Sequence, residues 1–200
     1  SMQWAGLNEK ALSEIQLLRS QSSKEDIYEV DRLQVQYLFQ EGDVAQALKI
    51  LLPYYESKKK DVKYLSLLAV VAARAGELQV AVGSYYQVYK LAPRGKYGKQ
   101  ALYQAAFLSY QFQDYDGAAR KFQEFMKVYS SSGLARDARW HMAWIRYLKG
   151  DFAGAYLSME DLVKLSKGKD KRHRRAWKHF PPNRATYWMA MSLSRQDPSH

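Results

Sequence analysis

Four histidines, at positions 141, 173, 179 and 200, are the only imidazoles in the chain, and no two of them stand four residues apart. A helix-borne metal site needs such a pair, and without a single cysteine a structural zinc site is not expected. The adjacent acids Glu25-Asp26 and Glu160-Asp161 would point about 100° apart on a helix, so they read as surface charge rather than a general acid/base pair. Neither Gly98-Lys99 nor Gly168-Lys169 has the glycine five positions earlier that a phosphate-cradling loop requires. Gly-x-Ser-x-Gly and Gly-x-Gly-x-x-Gly are both missing. The residues therefore suggest no catalytic group, no metal site and no cofactor.

Binding chemistry is better represented. Residues 167–182 carry seven basic side chains and one acid, more than half of the formal net charge of +11. Lys171, Arg172, Arg174, Arg175 and Lys178 could grip a polyanion or an acidic partner, with Trp177 as a stacking ring. The plainer reading is a solvated linker. Sixteen Tyr, seven Phe and five Trp offer a second surface. Their helical spacing points to core, but neighbours in Tyr54-Tyr55 and Tyr85-Tyr86-Tyr89 cannot all face inward, so Tyr55 and Tyr86 are candidate contact residues.

These side chains need elements to hold them, and a recurring phrase supplies the plan. Gly42-Asp43-Val44-Ala45-Gln46-Ala47, Gly76-Glu77-Leu78-Gln79-Val80-Ala81, Gln113-Asp114-Tyr115-Asp116-Gly117-Ala118 and Gly150-Asp151-Phe152-Ala153-Gly154-Ala155 place their acids 34, 37 and 37 residues apart. An acid after a glycine or polar residue suits a helix cap behind a tight turn. The closing alanine suits a close helix–helix approach. Apolar residues follow it at +4 (Leu51, Tyr85, Phe122, Met159) and +7 (Tyr54, Val88, Phe125, Leu162), one helical face. Val35, Ala69, Ala106 and Ala143 stand twelve before it.

The pattern predicts an all-α, single-domain chain: a leading helix over 3–20, pairs over 24–40 and 44–58, 62–74 and 78–91, 97–112 and 115–129, and 134–148 and 152–166. A basic loop over 167–182 and a last helix over 184–195, opened by Asn183, complete it. A period of 34–37 residues falls in the tetratricopeptide (TPR) range, which implies an α-solenoid of antiparallel helix pairs in a right-handed superhelix with a concave groove. No apolar run approaches the roughly 20 residues of a membrane span; the longest, 65–73, closes on Arg74. Ser1 ahead of Met2 reads as a cloning remnant, and the last helix is expected to pack on a partner outside the chain.

The stretch from Ala101-Leu102-Tyr103-Gln104-Ala105-Ala106 through Phe122-Gln123-Glu124-Phe125 resembles TPR units of bacterial envelope proteins. Ala138-Arg139-Trp140-His141-Met142-Ala143-Trp144-Ile145-Arg146-Tyr147-Leu148-Lys149-Gly150-Asp151-Phe152, followed by Arg184-Ala185-Thr186-Tyr187-Trp188-Met189-Ala190, resembles the helical superhelix ahead of the catalytic domain in soluble lytic murein transglycosylases. The resemblance implies a periplasmic, non-catalytic scaffold that positions a C-terminal transglycosylase domain and helps engage peptidoglycan. That domain's own signatures have no counterpart here, and Glu56-Ser57 stands in a repeat helix without them. The alternatives are a stand-alone TPR adaptor holding a protein partner in its groove and a nucleic-acid-binding helical repeat.

Overall fold

The computed structural model describes residues 2–23, 26–95, 97–167 and 181–196, with side chains from Lys10 onward. The fold is an α-solenoid of TPR-like helix pairs, with no strand among the described residues. Helix α1 spans Met2–Gln21. The pairs are α2 (Ile27–Glu41) with α3 (Val44–Leu51), α5 (Val62–Arg74) with α6 (Leu78–Leu91), α7 (Gly98–Gln111) with α8 (Tyr115–Val128), and α9 (Gly133–Leu148) with α10 (Phe152–Lys167). A short α4 (Tyr55–Lys58) extends the first pair, and α11 (Pro182–Gln196) packs against α10. No described helix is long and apolar enough to cross a membrane.

Two differences from the sequence pattern have simple causes. The helix expected over 44–58 is interrupted by a 3-10 turn at Leu52–Tyr54, because Pro53 has no amide hydrogen to continue the α ladder. The Tyr55 amide bonds to the Leu52 carbonyl instead, and the phenol of fully buried Tyr64 donates to the Leu51 carbonyl at 2.9 Å. The last helix opens at Pro182, one residue before Asn183, since proline suits a first-turn position that donates no hydrogen bond.

The recurring phrases are the joints. Asp43, Asp114 and Asp151 each accept a hydrogen bond from the backbone N–H three residues on, at 3.2, 2.9 and 2.9 Å. At the second joint the Glu77 carbonyl accepts from the Ala81 N–H at 3.0 Å. Just before each acid the backbone turns left-handed, with φ +89° at Gly42, +81° at Gly76, +61° at Gln113 and +80° at Gly150. Each acid's amide then reaches back to Leu38, Ala72, Ser109 or Arg146, satisfying a carbonyl at the end of the preceding helix. Three joints use the residue without a Cβ; Gln113 adopts the same turn with one. Gln113→Gly should therefore raise stability by about 0.5–1 kcal/mol, the relief of left-handed strain less the added freedom of the unfolded chain. Chemical denaturation of both proteins checks this, and an unchanged or lower midpoint contradicts it.

The chain divides into two compact units, residues 1–87 and 88–200, with the division inside α6. In the first, Val35, Ala47, Leu65, Leu68, Ala69 and Ala81 are sealed from solvent. An ion pair ties α1 to α2 there: Arg19 meets buried Asp31 at 2.5 Å, and the Tyr54 phenol donates to the same carboxylate at 2.6 Å. Burial, reinforced by that hydrogen bond, pushes the Tyr54 phenol up to about 12. In the second, Ala106, Ala118, Phe122, Phe125, Ala143 and Ala155 are fully buried. Met159, Leu162 and Ala185 continue that core with Trp140, and Trp144, Trp188 and Met189 pack against it.

Candidate functional site

In the second unit the first helices of successive pairs present a face rich in rings. At its centre the His141 imidazole stacks on Phe122, with centroids 5.2 Å apart and planes 9° apart. Phe107 lies 5.3 Å and Tyr110 5.1 Å from the same imidazole, with Tyr103 at 6.5 Å. The buried Nδ1 atom of His141 has no hydrogen-bond partner among the described residues. Enclosure among rings disfavours the imidazolium and holds the His141 pKa below its ordinary 6.5; the Arg184 charge acts in the same direction and Asp137 opposes both.

Beside this imidazole opens a cleft of about 260 Å3, lined by Tyr103, Arg136, Asp137, Trp140, His141 and Arg184, with Pro181 at its rim. Arg136 grips Asp137 at 2.7 Å. Arg184, exposed at the start of α11, lays its guanidinium over the Trp140 indole, 4.2 Å from the ring centroid. Burial, with the nearby Asp137 charge, pushes the Tyr103 phenol up to about 12, so it remains a hydroxyl donor at any physiological pH.

The His141 environment has a consequence for stability. The unfolded chain binds this proton more readily than the folded one, so the contribution is intact above pH 6.5 and declines as pH falls below it. His141→Phe, which keeps the ring and removes the orphaned nitrogen, should raise stability by about 1 kcal/mol. It should also flatten the decline between about pH 6.5 and 5, above the ordinary carboxylate range. Thermal unfolding across that interval checks both points; parallel curves for the two proteins contradict them.

Lys171, Arg172, Arg174, Arg175, Trp177 and Lys178 lie outside the described residues. Tyr55 and Tyr86 are both half-buried. Tyr55 lines an apolar groove of about 560 Å3 in the first unit with Leu52, Pro53, Val80 and Gly83, and Tyr86 is not among its lining residues. Tyr89, in the same cluster of rings as Tyr86, is buried; its ring lies edge-on to Tyr129, with centroids 6.3 Å apart. Periodicity could not reveal the cleft. Trp140 and Arg184 belong to different helices, and only the packing of α9, α10 and α11 brings them together. Among the described residues no group of three or more His, Asp or Glu side chains could hold a metal ion.

Comparison with known proteins agrees with this architecture. A tetratricopeptide repeat family model matches residues 32–96. A tetratricopeptide repeat protein from Parabacteroides merdae aligns over 96% of this chain and 72% of its own, at 17% identity and a TM-score of 0.60. The MamA protein aligns over 86% and 93% of the two chains at 13% identity and a TM-score of 0.56. A second MamA, from Desulfovibrio magneticus, aligns over 84% and 94% at 16% identity and a TM-score of 0.52. At such identities the likeness establishes fold alone. No curated protein is significantly similar in sequence, and nothing in these likenesses links the chain to a lytic transglycosylase. The chain carries TPR-type helical repeats, an architecture typically used as a protein-interaction scaffold.

Proposed function

We propose that the protein is a non-catalytic scaffold that holds a segment of a protein partner on the first-helix face of its second unit. The observation that carries this reading is the cleft, lined among the described residues by side chains of α7, α9 and α11 with Pro181 just ahead of α11. Rings there supply apolar area at low entropic cost, while Arg136, Asp137 and Arg184 supply polar direction. Peptides selected from a random twelve-residue library on the immobilised full chain should slow amide exchange in Gly98–Gln111 and Gly133–Leu148. Protection confined to other helices contradicts the reading.

A narrower form has the scaffold position a lytic transglycosylase domain against peptidoglycan in the periplasm. Its support is the motif resemblance, and the motif residues Trp140, Ala143 and Ala185 are packing residues of the second unit's core, with Trp144 and Trp188 lying against it. Replacing Arg172, Arg174 and Arg175 with alanine should weaken co-sedimentation with peptidoglycan while leaving the helical circular dichroism unchanged. Absence of co-sedimentation by the unaltered protein contradicts this form and leaves the broader one standing.

A further inference from the structure

The first helices of the pairs carry a stripe, spaced by four and then three residues, that the second helix covers. In α5 it is Leu65, Ala69 and Ala72, and in α7 it is Leu102, Ala106 and Ser109, all buried. The covering is direct: Lys121 of α8 donates to the Ser109 hydroxyl at 3.2 Å, and Arg146 of α9 donates to the Ser158 hydroxyl of α10 at 3.0 Å. Arg139, Ala143 and Arg146 form the stripe of α9, and Ala143 is fully buried. Helices α9 and α11 share the phrase Ala-x-x-x-Met-Ala, at Ala138, Met142 and Ala143 and again at Ala185, Met189 and Ala190, which sets their register. The stripe of α11 is therefore Thr186, Ala190 and Leu193. All three are exposed, Leu193 at 50%.

The other side of α11 is already engaged. Ala185 is sealed in the core, Met189 packs against it, and Trp188 meets Trp144 with centroids 4.4 Å apart. Outward, Asn183, Thr186, Tyr187, Ala190, Leu193 and Ser194 make an exposed strip without a single charge. A helix that closes a solenoid presents a polar outer face. This one instead repeats the spacing of an internal contact, with its smallest residue where the neighbouring pairs cross.

We propose that the outward face of α11, centred on Ala190, docks an amphipathic helix of a partner protein, which takes the place of a second helix and completes a further pair. The chain's own second helices define the chemistry of that partner. It carries an alanine at the crossing and large apolar side chains four and seven residues later, as Ala118 stands with Phe122 and Phe125, and Ala155 with Met159 and Leu162. Docking there extends the core that α9, α10 and α11 already share. A second copy of the chain fits less well. Ala47, Ala81, Ala118 and Ala155 are all sealed, so none of these second helices has its alanine free to offer. Copies that each carry a formal net charge of +11 also repel one another. The strip shares no residue with the cleft lining, so the two surfaces can be tested apart.

The probe is a peptide with the sequence of residues 151–167, acetylated and amidated, which carries one such face. The chain has no cysteine, so Ser194→Cys provides a single point for an environment-sensitive dye on the strip. Titrating the peptide into the labelled full chain should give a saturable blue shift of the dye's emission. Adding Ala190→Arg to the labelled chain should weaken binding by about tenfold, because the guanidinium would be trapped unpaired at the crossing. Ala190 is exposed and arginine is a good helix former, so the unfolding midpoint should not move. A peptide carrying Ala155→Arg should show the same loss of binding.

Absence of a saturable shift overturns the proposal, as does a loss below about threefold in Ala190→Arg, which would place the peptide elsewhere. A dye already shielded in the free monomer overturns it as well, since a segment of the chain itself then occupies the strip. Sedimentation of the unlabelled protein should show a monomer at every concentration used. A dimer abolished by Ala190→Arg would assign the strip to a second copy and overturn the proposal. Library peptides that protect α7 and α9 should do so equally in the Ala190→Arg protein, so failure of the scaffold reading and failure of this one are distinguishable.

Discussion

Phe122→Ala is expected to destabilise the second unit by about 3–5 kcal/mol, the largest effect of any single change considered. The ring is fully buried on α8, stacks on His141 and meets Tyr103 edge-on with centroids 5.8 Å apart. Truncation removes the transfer energy of a phenyl group and leaves a cavity among ring neighbours too stiff to collapse into it. His141 would lose the surface that shields it, so acid sensitivity should shift toward the ordinary titration of a histidine. Since small domains are stable by only about 5–15 kcal/mol, much of the second unit's cooperativity should disappear in the variant. Calorimetry of the full chain should show one transition displaced strongly downward; a loss under about 1 kcal/mol would mean that Phe122 is not a core residue.

The second large effect has the opposite sense of volume. Ala118 closes the third joint, is fully buried on α8, and faces a pair partner, α7, whose own Ala106 is equally buried. Ala118→Leu should cost about 2–3 kcal/mol, because three extra carbons must enter a close-packed contact and force the helices apart or the side chain off its rotamer. Gln123→Leu, on the exposed side of the same helix, should stay within about 0.5 kcal/mol. Denaturant midpoints of the two variants make the comparison. Equal effects would show that the alanine does not mark a close approach.

The joints were legible because each is built by neighbours in sequence. An aspartate can cap only the helix it precedes, and a left-handed turn declares itself through glycine at three of four positions. The +4 and +7 residues follow from a helix having one buried face; Phe122, Phe125, Met159 and Leu162 are all sealed, as is Leu51. The Tyr85-Tyr86-Tyr89 cluster says only that its rings cannot all face the core, not which turns inward, and it is Tyr89 that is buried. The apolar periodicity runs unbroken across Pro53, so it masks the interruption that the missing amide hydrogen imposes there.

The cleft was not legible, and neither was the buried Asp31. Arg19, Asp31 and Tyr54 lie on three elements, and their meeting depends on how α1 and the 3-10 turn settle on α2. Arg184 and Trp140 are separated by a whole helix and the basic run. The resemblance drawn from Trp140, Trp144 and Trp188 has a physical explanation within the fold. Trp144 and Trp188 meet edge-on with centroids 4.4 Å apart, and Tyr147 packs on both, so these residues answer first to helix packing. A shared packing motif carries no information about a neighbouring domain's chemistry.

The most direct measurement is a set of backbone chemical shifts across the four joints in solution. Left-handed values at Gly42, Gly76, Gln113 and Gly150, each followed within two residues by helical values that persist through Ala47, Ala81, Ala118 and Ala155, are the predicted result. Extended values across any of these joints would contradict the paired-helix architecture on which the proposed binding face depends.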